Sequence, residues 1–268
     1  VNRRSPIGVF DSGLGGLTVL KALARRMPEE SLVYFGDTAR VPYGSKSPEA
    51  IARYSTEAAR FLAGRGIKLL VIACNTSSAW ALPAIRRAVK VPVVGVIEPG
   101  ARAALSAGRG GPIGVIGTEA TVKSGAYPAA LRALSPRART VSAACPLFVP
   151  LVEEGWWSGP VVAAVAKRYL APLKAARAGT VILGCTHYPY LKSVLARALG
   201  PRARLIDSAD ETARETERVL AGLDLRAAPG RRGRREFYAS DAPERFRRLA
   251  RRMLGSAVGR VKLHPLGA

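Results

Sequence analysis

Short apolar runs rich in β-branched residues recur along the chain, separated by longer stretches in which apolar residues return every three or four positions. Ile7–Phe10, Leu32–Phe35, Leu69–Ala73, Val93–Val96, Ile113–Ile116, Thr140–Ala143, Val181–Leu183 and Leu205–Ile206 are the strand candidates. Most are apolar nearly throughout, the signature of parallel strands buried on both faces. Between them Pro48–Ala63 and Gly159–Leu173 have helical spacing, and Ser47-Pro48-Glu49 is a start signal: Ser47 can cap and proline suits the first turn. Strands alternating with helices predict an α/β fold in which helices flank mostly parallel sheets.

The pattern repeats. Ile7-Gly8-Val9-Phe10-Asp11-Ser12 returns in outline as Ile113-Gly114-Val115-Ile116-Gly117-Thr118, and each copy is followed by a strand that ends in a cysteine. Two pseudo-symmetric α/β domains are expected: residues 1–98 plus 208–268, containing Asp11 and Cys74, and residues 99–207, containing Cys185. Gly108–Pro112 reads as a linker into the second half. A last strand and helix, Glu236–Ser240 and Pro243–Leu254, have no counterpart in the repeat and are expected to pack back on the first half. In that helix Phe246, Leu249, Met253 and Leu254 form one stripe and arginines the other face, which favours a docked surface helix over a nucleic-acid arm.

Composition narrows the function classes. The 268 residues are 48% hydrophobic, enough for packed cores, yet no run of eighteen apolar residues could span a membrane. Val1-Asn2-Arg3-Arg4-Ser5-Pro6 leads into the first strand without an apolar leader, so a cytoplasmic protein is expected. Three cysteines and two histidines, none at zinc spacing, favour neither a disulfide framework nor a metal site. The 42 Lys and Arg against 19 Asp and Glu give a formal charge of +23. Such a field draws anions, whether nucleic acid or an acidic substrate. The arginines are dispersed along helices and loops without interleaved aromatics, so an ordinary basic surface is favoured over nucleic-acid binding.

The chemistry concentrates at strand ends, where open α/β sheets bind ligands. Cys74-Asn75-Thr76 and Cys185-Thr186-His187 each follow an apolar run, and a helix beginning there would favour a thiolate. Cys145, in Ala-Cys-Pro-Leu-Phe, lacks polar company and reads as structural. Asp11-Ser12-Gly13-Leu14-Gly15-Gly16 follows the first strand but is no dinucleotide loop, since Thr18 stands where the third glycine is needed. Two thiols with no metal and no cofactor loop suit inversion of an amino-acid α-carbon. One thiolate removes the proton from one face and the other thiol returns one to the opposite face. The carbanionic charge needs donors, which Ser12, Asn75, Thr76 and Thr186 can supply. A cysteine nucleophile acting with histidine is the competing chemistry, but Cys185 and His187 are two residues apart, whereas such pairs come together from distant parts of a chain.

These segments, with Tyr34-Phe35-Gly36-Asp37-Thr38-Ala39-Arg40-Val41-Pro42-Tyr43-Gly44, Val96-Ile97-Glu98-Pro99-Gly100, Gly117-Thr118-Glu119-Ala120-Thr121, the stretch from Cys145 to Gly155 and Phe237-Tyr238-Ala239-Ser240, resemble the glutamate racemases of the cofactor-independent aspartate/glutamate racemase family. The resemblance spans nearly the whole chain. It implies two α/β domains with glutamate bound in the cleft between them, no cofactor and no metal, a homodimer, and supply of D-glutamate for peptidoglycan. It also implies Cys74 and Cys185 as the acid/base pair. Asp11-Ser12, Tyr43-Gly44, Asn75-Thr76 and Thr186-His187 become substrate-binding pairs, with Thr121 in addition. Asp11 and His187 are the implied helpers of the thiols, Asp37 and Glu153 secondary ones, and the register leaves Glu153 and Glu154 as alternatives. Rival readings are a racemase of another acidic amino acid such as aspartate, one methylene being weakly discriminated, and a basic nucleic-acid or nucleoprotein-binding protein on the same scaffold.

Overall fold

In the computed structural model, which describes residues 1–108, 111–230, 232–255 and 258–267, the chain lays down two similar βα windings in succession. The first comprises β1 (Ile7–Asp11), α1 (Leu17–Arg26), β2 (Leu32–Gly36), α2 (Pro48–Gly64), β3 (Leu69–Ile72), α3 (Asn75–Trp80), α4 (Leu82–Ala88) and β4 (Val93–Gly95). Helix α5 (Ile97–Ala107) leads into the second: β5 (Ile113–Gly117), α6 (Glu119–Lys123), α7 (Ala126–Leu134), β6 (Thr140–Ala144), α8 (Phe148–Glu153), α9 (Pro160–Ala175), β7 (Thr180–Gly184), α10 (Lys192–Leu199) and β8 (Arg204–Ile206). Then follow α11 (Ser208–Gly222), β9 (Arg235–Ala239), α12 (Pro243–Leu254) and β10 (Val261–Leu263).

The strands form two sheets, ordered β10-β9-β2-β1-β3-β4 and β6-β5-β7-β8, and every pairing is parallel. The order β2-β1-β3-β4 is therefore repeated as β6-β5-β7-β8, and two pseudo-symmetric α/β domains result. Register makes the repeat exact to the residue at the site. Phe10 pairs with Ile72 in one sheet and Ile116 with Leu183 in the other, so Cys74 and Cys185 each stand two residues beyond equivalent positions.

Burial on both faces explains the apolar strands. Ile7 and Val9 pack with Leu20 and Leu23 of α1, while Phe10 faces Ile51, Ala58 and Leu62 of α2. In the second sheet Ile113, Val115 and Ile182 meet Ala101, Ala104 and Leu131. Ser47 caps α2 by accepting from the Ala50 amide at 3.3 Å, as its sequence signal predicts.

Two expectations change. The strand at Glu236–Ser240 is not the last, because β10 continues the sheet beyond β9. It has three residues, of which Lys262 and Leu263 are exposed, so no apolar run marks it. The linker assigned to Gly108–Pro112 includes residues 109 and 110, which lie outside the described residues; Gly108 ends α5 in the left-handed conformation. As expected, α12 buries Phe246 and Met253 and exposes Arg245, Arg248, Arg251 and Arg252. No helix among the described residues is long and apolar enough to cross a membrane.

A buried ion pair pins the far end of the first sheet. Lys68, fully buried just before β3, places Nζ 2.5 Å from Glu30 Oε2 and donates to the carbonyls of Arg3 and Leu225 at 2.8 and 2.7 Å.

Candidate active site

Loops at the carboxyl ends of β1, β3, β5 and β7 meet between the two sheets and line a narrow cavity. Both sulfurs line it, Cys74 from the first sheet and Cys185 from the second. Cys74 caps α3 by accepting from the Ser77 amide at 3.5 Å and donates to Ser12 Oγ at 3.5 Å. Cys185 Sγ lies 3.8 Å from His187 Nδ1, and His187 Nε2 lies 3.1 Å from Glu153 Oε1. Ser12, Tyr43, Gly44, Asn75, Thr76, Thr186, His187 and Glu153 share the lining.

The first loop of each half grips the cysteine loop of the other. Thr186 Oγ1 donates to Asp11 Oδ1 at 3.3 Å, and in the other direction the Thr76 and Thr118 hydroxyls are 3.0 Å apart. Close approach requires glycine at two points. A Cβ on Gly15 would stand 2.2 Å from Thr186 Oγ1, and one on Gly44 would stand 2.5 Å from the Thr118 Cβ. The Gly13–Gly16 loop is held from beneath by Tyr34, whose hydroxyl donates to the Gly13 carbonyl at 2.8 Å.

Several residues stand one step back from the cleft. Asp11 is fully buried and accepts from the Gly13 amide at 2.9 Å and from Thr186, so it reaches the cavity lining through Thr186. Thr121 is a correction of the same kind: its hydroxyl bonds Thr76 and Thr118, at 3.0 and 2.9 Å, and it is Thr118 that lines the cavity. Asp37 accepts from Tyr43, from Arg40 and from Ser240, which makes it the anchor of the Tyr43-Gly44 turn and not a neighbour of either thiol. Between the two glutamates geometry decides, because Glu153 faces His187 while Glu154 is exposed and pairs with Arg245 at 3.7 Å. Cys145 is fully buried outside the cavity lining, with its thiol against the Ala143 carbonyl, and burial pushes it up to about 12.

The electrostatics of the two sides differ. Burial raises the Asp11 carboxyl, opposed first by the charge of His187. Burial, then the negative Asp11, pushes the Cys74 thiol up to about 11. The expectation that a helix start would favour its thiolate is thereby reversed: α3 is only six residues long, and its hydrogen bonds are outweighed by desolvation. Burial would lower His187, but hydrogen bonds with Cys185 and Glu153 prevail and carry it to about 10. At neutral pH the first side thus holds a thiol beside Asp11, and the second an imidazolium between the Cys185 sulfur and Glu153. The Cys185 loop continues into a 3-10 turn at Tyr188–Leu191 instead of an α-helix. Among the described residues no group of three or more His, Cys, Asp or Glu is placed to hold a metal ion.

Sequence reasoning missed Thr118, Val149, which adds an apolar wall, and Tyr127, which hydrogen-bonds Asn75. Thr118 had a signal: in the internal repeat it occupies the place of Ser12. Tyr127 had none, since nothing local distinguishes it from a core aromatic.

Comparison with known proteins agrees with this geometry. The family model described as Asp/Glu/Hydantoin racemase matches residues 10–216. A glutamate racemase of Geobacter metallireducens is 51% identical over 255 residues, covering 95% of this chain and 94% of its own. The crystal structure of glutamate racemase from Thermus thermophilus in complex with β-chloro-D-alanine is 48% identical, with a TM-score of 0.88 over 99% of this chain and 98% of that one. The glutamate racemase of Francisella tularensis in complex with D-glutamate is 36% identical, with a TM-score of 0.91 over 98% of both chains. With duplicated parallel sheets, a thiol at each equivalent strand end and a family match across most of its length, the chain belongs to the Asp/Glu/Hydantoin racemase family.

Proposed function

We propose that the protein is a glutamate racemase, interconverting L- and D-glutamate by two-base proton transfer and providing D-glutamate for peptidoglycan. The observation that carries the reading is the entry of two sulfurs into one cavity from equivalent strand ends of opposite sheets. Residues 1–98 with 208–268, and 99–207, are taken as the two bodies around the substrate. One sulfur, as thiolate, removes the α-proton, and the electron pair left on carbon spreads into the α-carboxylate. The thiol on the other side then protonates the opposite face, so the negative charge moves from one sulfur to the other and no atom is lost. Hydroxyls and amides of Ser12, Asn75, Thr76 and Thr186 stabilise the charge on the substrate carboxylates. On the first side Asp11 and burial keep Cys74 as the proton donor; on the second, the His187 imidazolium, held by Glu153, faces the Cys185 sulfur. Supporting the choice of glutamate are the relatives named above, each a glutamate racemase. The test is circular dichroism of L-glutamate and L-aspartate with purified protein and no added pyridoxal phosphate. Loss of optical activity of glutamate, with α-deuterium in both enantiomers when run in D2O, is expected; turnover of aspartate in preference to glutamate refutes the assignment.

A further inference from the structure

Asn75 opens α3 in the first half, and its side-chain oxygen accepts a hydrogen bond of 2.6 Å from the hydroxyl of Tyr127, which belongs to α7 in the second. Both residues are buried, 3% and 1% exposed. A phenol has one hydrogen to give, and here it goes to the amide oxygen. With Oδ1 engaged, the free end of the amide is its NH2 group. That group is buried and has no hydrogen-bond partner among the described residues, although Asn75 lines the cavity between the sulfurs. A buried amide donor without an acceptor is rare in a folded chain. At a cavity wall, the acceptor it lacks is an oxygen of the ligand.

We propose that Tyr127 is a positioning residue for the substrate: it locks the Asn75 amide so that Nδ2 faces the cavity and donates to a substrate carboxylate. The inference rests on the racemase reading and deepens it. Turned the other way, the amide would present its oxygen to the carboxylate and repel it. By giving its hydrogen to Oδ1, the phenol holds the amide in the orientation that leaves Nδ2 for the ligand. Tyr127 does not itself line the cavity, so it acts through Asn75. Its ring lies beside Gly100 and Gly184, and Tyr127→Phe keeps that packing while deleting only the oxygen.

Steady-state racemisation of L-glutamate by wild type, Tyr127→Phe, Asn75→Ala and the double variant tests the proposal. Tyr127→Phe is expected to lower kcat/KM about tenfold, chiefly through KM, because a binding orientation and no proton-transfer group is lost. In the Asn75→Ala background the same change is expected to add less than about twofold, since the amide it orients is gone. A Tyr127→Phe enzyme within twofold of wild type, or a full tenfold loss repeated in the double variant, overturns the proposal. If Tyr127→Phe loses its ordered near-ultraviolet spectrum, Asn75→Ala alone carries the test, with an expected rise in KM of about tenfold and an unchanged KM as the refuting result. A wild-type protein that does not racemise glutamate overturns the functional reading and this inference together. An active wild type with an unaffected Tyr127→Phe overturns the inference alone.

Discussion

Replacing Glu153 by Gln removes the carboxylate that faces His187 while keeping its shape. At the observed 3.1 Å separation and an effective dielectric constant of about 20, two unit charges attract by about 5 kcal/mol. The Glu153 side chain is 21% exposed, so solvent screening trims this to roughly 2–3 kcal/mol, or about two pKa units. His187, held at about 10, is therefore expected to fall to about 8. The sign follows from which form is favoured: the carboxylate stabilises the imidazolium, so its loss releases the proton at lower pH. The imidazolium's contribution to stability is complete below its unfolded value of about 6.5 and disappears as pH rises through the folded value. In wild type that window extends to about 10, and in Glu153→Gln it closes about two units earlier. Heteronuclear NMR of the imidazoles reads this directly, since the chain has only two histidines. In parallel, the ratio of variant to wild-type kcat/KM is expected to decline between pH 7 and 9 as the charge facing Cys185 is lost. A wild-type His187 that titrates near 6.5, or one whose titration is unmoved by Glu153→Gln, refutes the reasoning.

Further outcomes follow from other contacts. Cys74→Ala and Cys185→Ala are each expected to reduce glutamate racemisation by at least about a thousandfold, since each removes the sulfur that exchanges the α-proton on its side; either variant at wild-type rate disproves the two-base scheme. Gly15→Ala forces a Cβ to within 2.2 Å of Thr186 Oγ1 and 2.7 Å of His187 Nδ1. Overpacking of about 1–3 kcal/mol is expected, with kcat/KM down about ten- to hundredfold and a lower melting temperature, and retention of full activity counts against the contact between halves. Lys68→Met leaves Glu30 buried without its cation, which costs about 3–5 kcal/mol in thermal or urea unfolding. Replacing both residues by apolar ones is expected to recover much of the loss, and an equal or larger loss in the double variant contradicts a pairing penalty.

Much of this molecule can be read from its sequence because parallel strands must be apolar on both faces. Ile7–Phe10 and Ile113–Ile116 thus stand out as a repeat, and the cysteines stand out as polar-flanked breaks at the ends of the runs before them. What escapes is set by residues whose role depends on the packing of one half against the other. The phase of α8 decides between Glu153 and Glu154, and only its burial of Val149 and Val152 fixes that phase. Local signals also misjudge Cys74, where a short helix start promises a thiolate and complete burial beside Asp11 delivers a thiol. Strand β10 is hidden for the opposite reason: at a sheet edge with two of three residues exposed, it needs no apolar pattern to pair.

Duplication gives both faces of a planar carbanion a base with a single invention, but the copies have diverged. Asp11 ends β1 where Gly117 ends β5, and His187 stands where the first half has Thr76. Leftward and rightward proton hops therefore cross chemically unlike barriers. Mirror-image substrates nevertheless have equal free energy, so their specificity constants are bound to coincide. Any imbalance between the copies must surface as a higher turnover for one enantiomer matched by a proportionally weaker saturation.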